Sequence, residues 1–93
     1  LVAIEKQIKV GSLNKRFDII IYDSSQQPWM LIECKAPNIE LNPQTWYQLL
    51  DYNQTIQAKY GLISNGLETQ LASFDSKIGS FTLLNTFPKW DNA

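Results

Sequence analysis

The stretch WMLIECKAP, residues 29–37, begins as an apolar run and ends on an acid and a base. Side chains alternate along a strand, so Leu31, Glu33 and Lys35 share one face of it. The apolar half indicates a strand built for a protein interior, where unpaired charges are costly. The two charges at its end therefore mark the first place to look for a functional site.

The preceding segment KRFDIIIYD, residues 15–23, also has the composition of a buried strand, and a polar loop joins it to residue 28. If that loop is symmetric, Asp18 lies opposite Glu33 and Tyr22 lies near Trp29. Direct cross-strand neighbours have Cβ atoms about 5 Å apart, so the two carboxylates would repel each other. A divalent cation between Asp18 and Glu33 would replace this repulsion by shared coordination.

Composition limits the kind of protein. The 93 residues are 44% hydrophobic and 18% charged, which is typical of one small globular domain, residues 1–93. Because the chain begins at Leu1, we expect it to be a piece of a longer protein. Its net charge of −1 indicates no overall basic field. A single cysteine fits a reducing cytoplasm, and no long apolar segment predicts a membrane span.

The sequence contains no histidine, which excludes several kinds of site. A Ser-His-Asp triad, a Cys-His pair and the common His/Cys zinc sites cannot be built from this chain alone. A Gly-Lys-Ser/Thr phosphate-binding loop is also missing. Carboxylates, lysines and amides remain, and oxygen donors of this kind suit a hard cation such as Mg²⁺.

Periodicity and turn residues predict the order β-β-β-α-β-β-β, a mixed α/β (α+β) sheet with a helix on one face. Asn42 and Pro43 resemble a helix N-cap followed by proline at the first helical position. The predicted elements are strands 2–10, 15–23 and 29–35, a helix over about 43–58, strand 60–66 and a terminal hairpin of 67–75 with 80–85, with a turn at 11–14.

The spacing of Asp18, Glu33 and Lys35 suits phosphodiester hydrolysis, in which a metal activates water and neutralises charge on the phosphate. Lys35 lies where a cation or a proton-transfer group is needed, and the Cys34 carbonyl is a candidate oxygen ligand. A structural alternative stays open, because acid-x-lysine triplets are common by chance. In that interpretation Lys35 forms an ordinary ion pair with Glu33 or Asp18. The Cys34 side chain is expected to be a small buried hydrophobe and not a reactive thiol.

The set RFDIII, WMLIECKAP, QLLDY and GLISNG resembles a known family over most of residues 4–66. It looks like the metal-dependent PD-(D/E)xK nuclease core, and more narrowly like the N-terminal nuclease domain of type I restriction enzyme R subunits. The resemblance implies a restriction-endonuclease-like core with Asp18, Glu33 and Lys35 as catalytic residues. It also implies that Gln48 and Tyr52, the ends of the glutamine-x-x-x-tyrosine motif, contact the metal site or the DNA backbone.

The same resemblance implies a Mg²⁺- or Mn²⁺-dependent endodeoxyribonuclease whose partners are double-stranded DNA and other restriction-modification subunits. ATP would be used only by a motor domain outside this chain. Without that domain, the chain alone is expected to cleave DNA weakly and without sequence preference, or not at all. Lys15 and Arg16 are expected phosphate contacts, and Glu5 is an accessory acid whose simpler interpretation is an exposed strand residue. The sequence departs from the family in reading RFD without proline, and the family's helix before the first strand is expected outside this fragment.

Two rival functions remain at this point. The first is a catalytically silent relative that keeps the nuclease fold as a protein- or DNA-binding module. The second is a small mixed-sheet interaction domain in which Asp18, Glu33 and Lys35 form an ordinary salt bridge. Convergence of the three side chains on one cleft favours the nuclease over both rivals.

Overall fold

A computed structural model describes residues 2–4, 7–10, 13–16, 19–75 and 77–89, with side chains from Ile19 onward. The order of elements is β1 (Val2–Ile4), β2 (Gln7–Val10), β3 (Leu13–Arg16), β4 (Ile19–Tyr22), β5 (Pro28–Cys34), α1 (Pro43–Ile56), β6 (Tyr60–Ser64), β7 (Thr69–Asp75) and β8 (Ser80–Leu84). Six strands form a mixed sheet in the order β1-β4-β5-β6-β7-β8, and β2 pairs with β3. This confirms the predicted mixed α/β class and is compatible with a restriction-endonuclease-like fold.

The N-terminal strands pair as antiparallel ladders in one common register. Ile4 pairs with Ile19 in the first ladder, and Gln7 pairs with Arg16 in the second. Gln7 comes three residues after Ile4 in the sequence, and Arg16 comes three residues before Ile19. The described parts of the predicted strands 2–10 and 15–23 are strands up to Tyr22, where β4 ends one residue before the predicted limit. The turn predicted at 11–14 is too long, however, because Val10 already pairs with Leu13.

The β4–β5 hairpin has the register that a symmetric loop predicts over most of its length. Ile19 pairs with Ile32, and the next two pairs along the ladder keep the same alignment. The expected proximity of Tyr22 and Trp29 is wrong in one respect, because the register shifts after Ile21 and Tyr22 pairs with Pro28. An irregularity of this kind lets the strand turn into the loop without disturbing the pairs closer to Ile19.

Strands β5 and β6 are parallel, so a long connection must carry the chain back across the sheet, and α1 supplies it. The Asn42 side chain accepts a hydrogen bond from the Thr45 N–H, and Pro43 occupies the first turn, as the sequence predicts. The helix ends at Ile56, two residues before the predicted limit, because Gln57 adopts a left-handed conformation with φ 62°.

The main core lies between α1 and the face of the sheet that carries Leu31. Its buried members include Ile20, Leu31, Trp46, Leu49 and Ile63. The Trp46 ring stacks on Phe81 with centroids 5.5 Å apart, and its Nε1–H donates to Gln70 Oε1 at 2.7 Å. Trp46 is therefore a central residue of this core.

Gly61 lies on β6 against the Phe74 and Trp46 rings. A Cβ atom built at this position would lie 2.6 Å from Phe74 Cζ and 3.0 Å from Trp46 Cζ3. Both are well below ordinary van der Waals separation, so any larger residue would push the aromatic rings apart. Only glycine fits between β6 and the Trp46 ring.

We expect Gly61→Ala to lower the free energy of unfolding by about 2 kcal/mol, because overpacking forces the rings from their positions. Urea unfolding monitored by tryptophan fluorescence measures this. Gly66→Ala is the matched comparison, because its Cβ would meet open space but its φ is +85°. In that variant the free energy of unfolding should fall by only about 1 kcal/mol, because of backbone strain. Equal losses at the two positions would contradict the packing argument.

Candidate active site

The charge pair predicted from the sequence is formed at the end of β5. Lys35 Nζ lies 3.7 Å from Glu33 Oε2, and the Glu33 and Lys35 side chains are 15% and 30% exposed. A carboxylate this far from water is stable as an anion only beside compensating charge or hydrogen bonds. The ammonium group of Lys35 provides part of that compensation.

The surroundings explain why Glu33 is buried. Leu31, two residues earlier on the same face, is fully buried in the main core. Ile63, the partner of Glu33 on β6, is fully buried as well. Glu33 is therefore the first polar side chain above the apolar core at this edge. Parallel strands β5 and β6 both end at this edge, where α/β proteins commonly bind ligands.

Backbone hydrogen bonds show where the Cys34 carbonyl is directed. The Lys35 N–H donates to the Ser64 carbonyl of β6 at 2.7 Å. Successive residues of a strand direct their backbone groups to opposite sides in the plane of the sheet, so those of Cys34 are directed towards β4. The carbonyl proposed as an oxygen ligand thus lies on the side of β5 from which the predicted partner acid must come.

The side chain of Cys34 corrects one expectation. The prediction that Cys34 is a small buried hydrophobe is wrong, because Cys34 is exposed. It follows Met30 and Ile32 on the sheet face opposite Leu31, and burial falls along that row from fully buried Met30 to half-buried Ile32. Cys34 is the last residue of the strand, where the covering of that face ends.

The remaining N-terminal candidates are placed only in part. Asp18 and Glu5 lie outside the described residues. Lys15 and Arg16 belong to β3, where they pair with Ile8 and Gln7, but their side chains are outside the description. Their proposed contacts with metal or phosphate stay predictions.

The two helix candidates lie on α1 one turn apart, and their environments differ. Gln48 is exposed, so its amide is available to a ligand in solution. Tyr52 is half-buried and packs against the main core, which also contains Leu31. Residues four apart share a helix face, so both project from the same side of α1.

Sequence reasoning missed Asn65, the buried polar residue at the same sheet edge. Its side chain is 8% exposed and bonds to three backbone groups. The Asn-Gly dipeptide at 65–66 signals a turn. The bond from Asn65 to Ile39, 26 residues away, has no local signal and needs the tertiary structure.

The oxygen donors near Glu33 are chemically suited to a hard cation. The Glu33 carboxylate and the Cys34 carbonyl are oxygen donors of the kind that Mg²⁺ prefers. Within the part of the chain that the structure describes, no group of three or more acidic, cysteine or histidine side chains converges on one point. Asp18, the further carboxylate predicted from the sequence, lies outside the described residues.

The fold and the charge pair together define a class, a mixed α/β domain with an acid-x-lysine pair at the end of a central strand. A comparison with protein families matches residues 1–88 to the type I restriction enzyme R protein N terminus. The chain belongs to this family, and the family's description indicates a role in a restriction enzyme. Searches of curated proteins and of solved structures each found no significant match. No helix in the described ranges has the length and apolarity needed to span a membrane.

Removing Lys35 tests whether Glu33 depends on it. With divalent metal chelated, we expect Lys35→Met to lower the free energy of unfolding by about 1–2 kcal/mol, because a mostly buried carboxylate loses its compensating charge. The double variant Glu33→Gln/Lys35→Met should recover about half of the loss, because it removes the carboxylate charge as well. Urea unfolding measures both. Lys59→Met, at an exposed lysine, is the control; a loss as large as that of Lys35→Met would contradict the pairing.

Proposed function

We propose that this chain is the Mg²⁺-dependent endodeoxyribonuclease domain of a type I restriction enzyme R subunit. The observation that carries the proposal is the partly buried Glu33–Lys35 pair at the end of β5. Family membership supports a restriction role, and the chemistry of the pair supports phosphodiester hydrolysis as the reaction. Mn²⁺ would serve in place of Mg²⁺, because the donors are hard oxygens.

Asp18 is the proposed second carboxylate of the metal site. Three consecutive pairs of β4 and β5 follow the register from which its position opposite Glu33 was predicted. In that register, and with the Cys34 backbone directed to the β4 side, positions 18 and 33 form a pair without mutual backbone hydrogen bonds. In such pairs the side chains are closest, with Cα atoms about 4.5 Å apart. We therefore propose Asp18, Glu33 and the Cys34 carbonyl as the metal ligands.

Bound Mg²⁺ would lower the pKa of a water and neutralise charge that develops on the phosphate. Lys35 has the complementary task of holding a positive charge beside the attacking water or the phosphate oxygens. The Lys35 side chain is 30% exposed, so a phosphodiester can approach it from solvent. Glu33 keeps Lys35 at this position through their ion pair.

DNA contacts are proposed for residues around this edge. Exposed Gln48 and the hydroxyl of Tyr52 would donate hydrogen bonds to the DNA backbone or the metal site, and Lys15 and Arg16 would neutralise phosphates. Glu5 is kept as an accessory acid. Partners would be double-stranded DNA and the other subunits, and ATP would act only through a motor domain outside this chain.

A second candidate function is favoured by the same ion pair. At 3.7 Å, Glu33 and Lys35 already compensate each other, as they would in a catalytically silent module that retains the fold for binding. The two candidates differ in what divalent metal and DNA do to the protein. The next two experiments separate them.

Plasmid cleavage tests the reaction. With Mg²⁺ we expect the wild-type chain to nick supercoiled plasmid weakly and without sequence preference, and with EDTA we expect no nicking. Asp18→Asn, Glu33→Gln and Lys35→Ala should each slow nicking by about a hundredfold or more, because each removes charge at the reacting phosphate. Glu40→Gln and Lys59→Ala, which change exposed residues, should stay within about twofold. Cleavage that survives Glu33→Gln or Lys35→Ala would overturn the assignment of those residues.

Thermal unfolding with and without metal tests the site independently of cleavage. We expect 10 mM Mg²⁺ to raise Tm by on the order of 5 °C, because a cation bound between two carboxylates stabilises only the folded state. The shift should disappear in Asp18→Asn and in Glu33→Gln and persist in Glu40→Gln. A wild-type Tm that does not respond to Mg²⁺ or Mn²⁺ would support the binding module instead.

A further inference from the structure

We propose that Asn65 is the positioning residue of this site: it holds the loop that follows Lys35 and thereby fixes the place of the Lys35 ammonium group. This inference rests on the proposed function, in which Lys35 acts on the phosphodiester. It concerns the connection between two loops at the edge of the sheet where β5 and β6 end.

The Asn65 side chain joins those two loops. Its Nδ2 donates to the Ile39 carbonyl at 2.8 Å, in the loop 35–42 between β5 and α1. Its Oδ1 accepts the N–H groups of Leu67 and Glu68 at 3.0 and 2.8 Å, in the turn between β6 and β7. Both ends of one amide are thus used, one on each loop.

The loop after Lys35 has few other attachments. At its start the Lys35 N–H donates to Ser64, and near its end Leu41 enters the core. Between these points a turn closes when the Ile39 N–H donates to the Ala36 carbonyl at 2.9 Å. Ile39 is 44% exposed, so its side chain is only partly packed. The bond from Asn65 is a hydrogen bond from outside the loop that holds its middle.

Loss of the Asn65–Ile39 hydrogen bond would change the position of Lys35 through the backbone that connects them. The turn 36–39 begins at the residue after Lys35, so its orientation sets the direction in which the chain leaves β5. The Lys35 side chain must stay near Glu33 and the phosphate, and a displacement of about 1 Å in a reacting group can cost a hundredfold in rate. Groups that act only through such supporting contacts commonly change activity by about tenfold to a hundredfold.

The chain contains a matched control at the other end of the helix connection. Asn53 is also buried, and its Nδ2 donates to the Ala58 carbonyl at 3.0 Å while its Oδ1 accepts the Ala58 N–H at 2.8 Å. It braces the segment between α1 and β6, before β6 begins, away from the edge that carries Glu33 and Lys35. Asparagine-to-aspartate changes at 53 and 65 each remove one donor and keep the acceptor.

The experiment compares Asn65→Asp and Asn53→Asp in plasmid nicking with Mg²⁺ and in amide hydrogen exchange. We expect Asn65→Asp to lower kcat about tenfold with KM for DNA within about twofold, and Asn53→Asp to leave both within about twofold. After correction for global stability, the Ile39 and Lys35 N–H groups should exchange at least about tenfold faster in Asn65→Asp alone.

A second pair, Asn65→Ala and Asn53→Ala, separates loss of the bond from the added charge of aspartate, and we expect the same contrast. Wild-type exchange at Ile39 and Lys35 in both Asn65 variants would overturn the proposal, as would equal losses of kcat at positions 53 and 65. A wild-type chain that does not nick DNA defeats the proposed function. In that case the exchange comparison alone decides whether Asn65 holds the segment that carries Lys35.

Discussion

The burial of the Glu33 carboxylate is the constraint on which the site depends. Glu33 lies directly above a fully buried core, beside Ile63 and two residues after Leu31. A charge in that position is tolerated only when cations or hydrogen bonds compensate it. The ion pair with Lys35 is one such compensation, and a divalent cation would be a stronger one. In the proposed function, electrostatics that would weaken an ordinary strand would help to hold a metal.

The direction of the strands brings the proposed ligands to one edge. Because β4 is antiparallel to β5, the chain enters β4 at Ile19 at the edge where β5 ends. Because β6 is parallel to β5, the turn that contains Asn65 leaves the sheet at this edge too. The start of one strand and the ends of two others thus meet, although their residues are far apart in sequence.

The sequence alone predicts the parts of this arrangement that depend on local patterns. Alternation along residues 29–35 placed Glu33 and Lys35 on one face, and the Asn42-Pro43 cap located the start of α1. The β4–β5 register followed from the length of the loop, apart from the shift near Tyr22. Each of these features is decided by residues a few positions apart, where propensity and geometry act directly.

Features set by distant contacts could not be predicted in this way. The exposure of Cys34 depends on what covers the far face of the sheet, which alternation does not specify. The role of Asn65 depends on the path of a loop that begins 30 residues earlier, because only the parallel pairing of β5 and β6 brings Ile39 within reach of its amide. The turn is shorter than the predicted segment GSLN because Val10 pairs with Leu13, and this pairing is not visible in the local sequence.

The two buried asparagines show what the parallel crossover requires. A helix that returns the chain between parallel strands leaves a loop at each end, and backbone groups in those loops lose water without gaining a place in a ladder. Asn53 satisfies such groups at one end and Asn65 at the other. A side-chain amide suits the task because it donates and accepts at once. At the Asn53 end, these hydrogen bonds contribute to stability alone. At the Asn65 end, the loop that they hold begins at Lys35. The same kind of contact therefore also orders the charge on which the proposed chemistry depends.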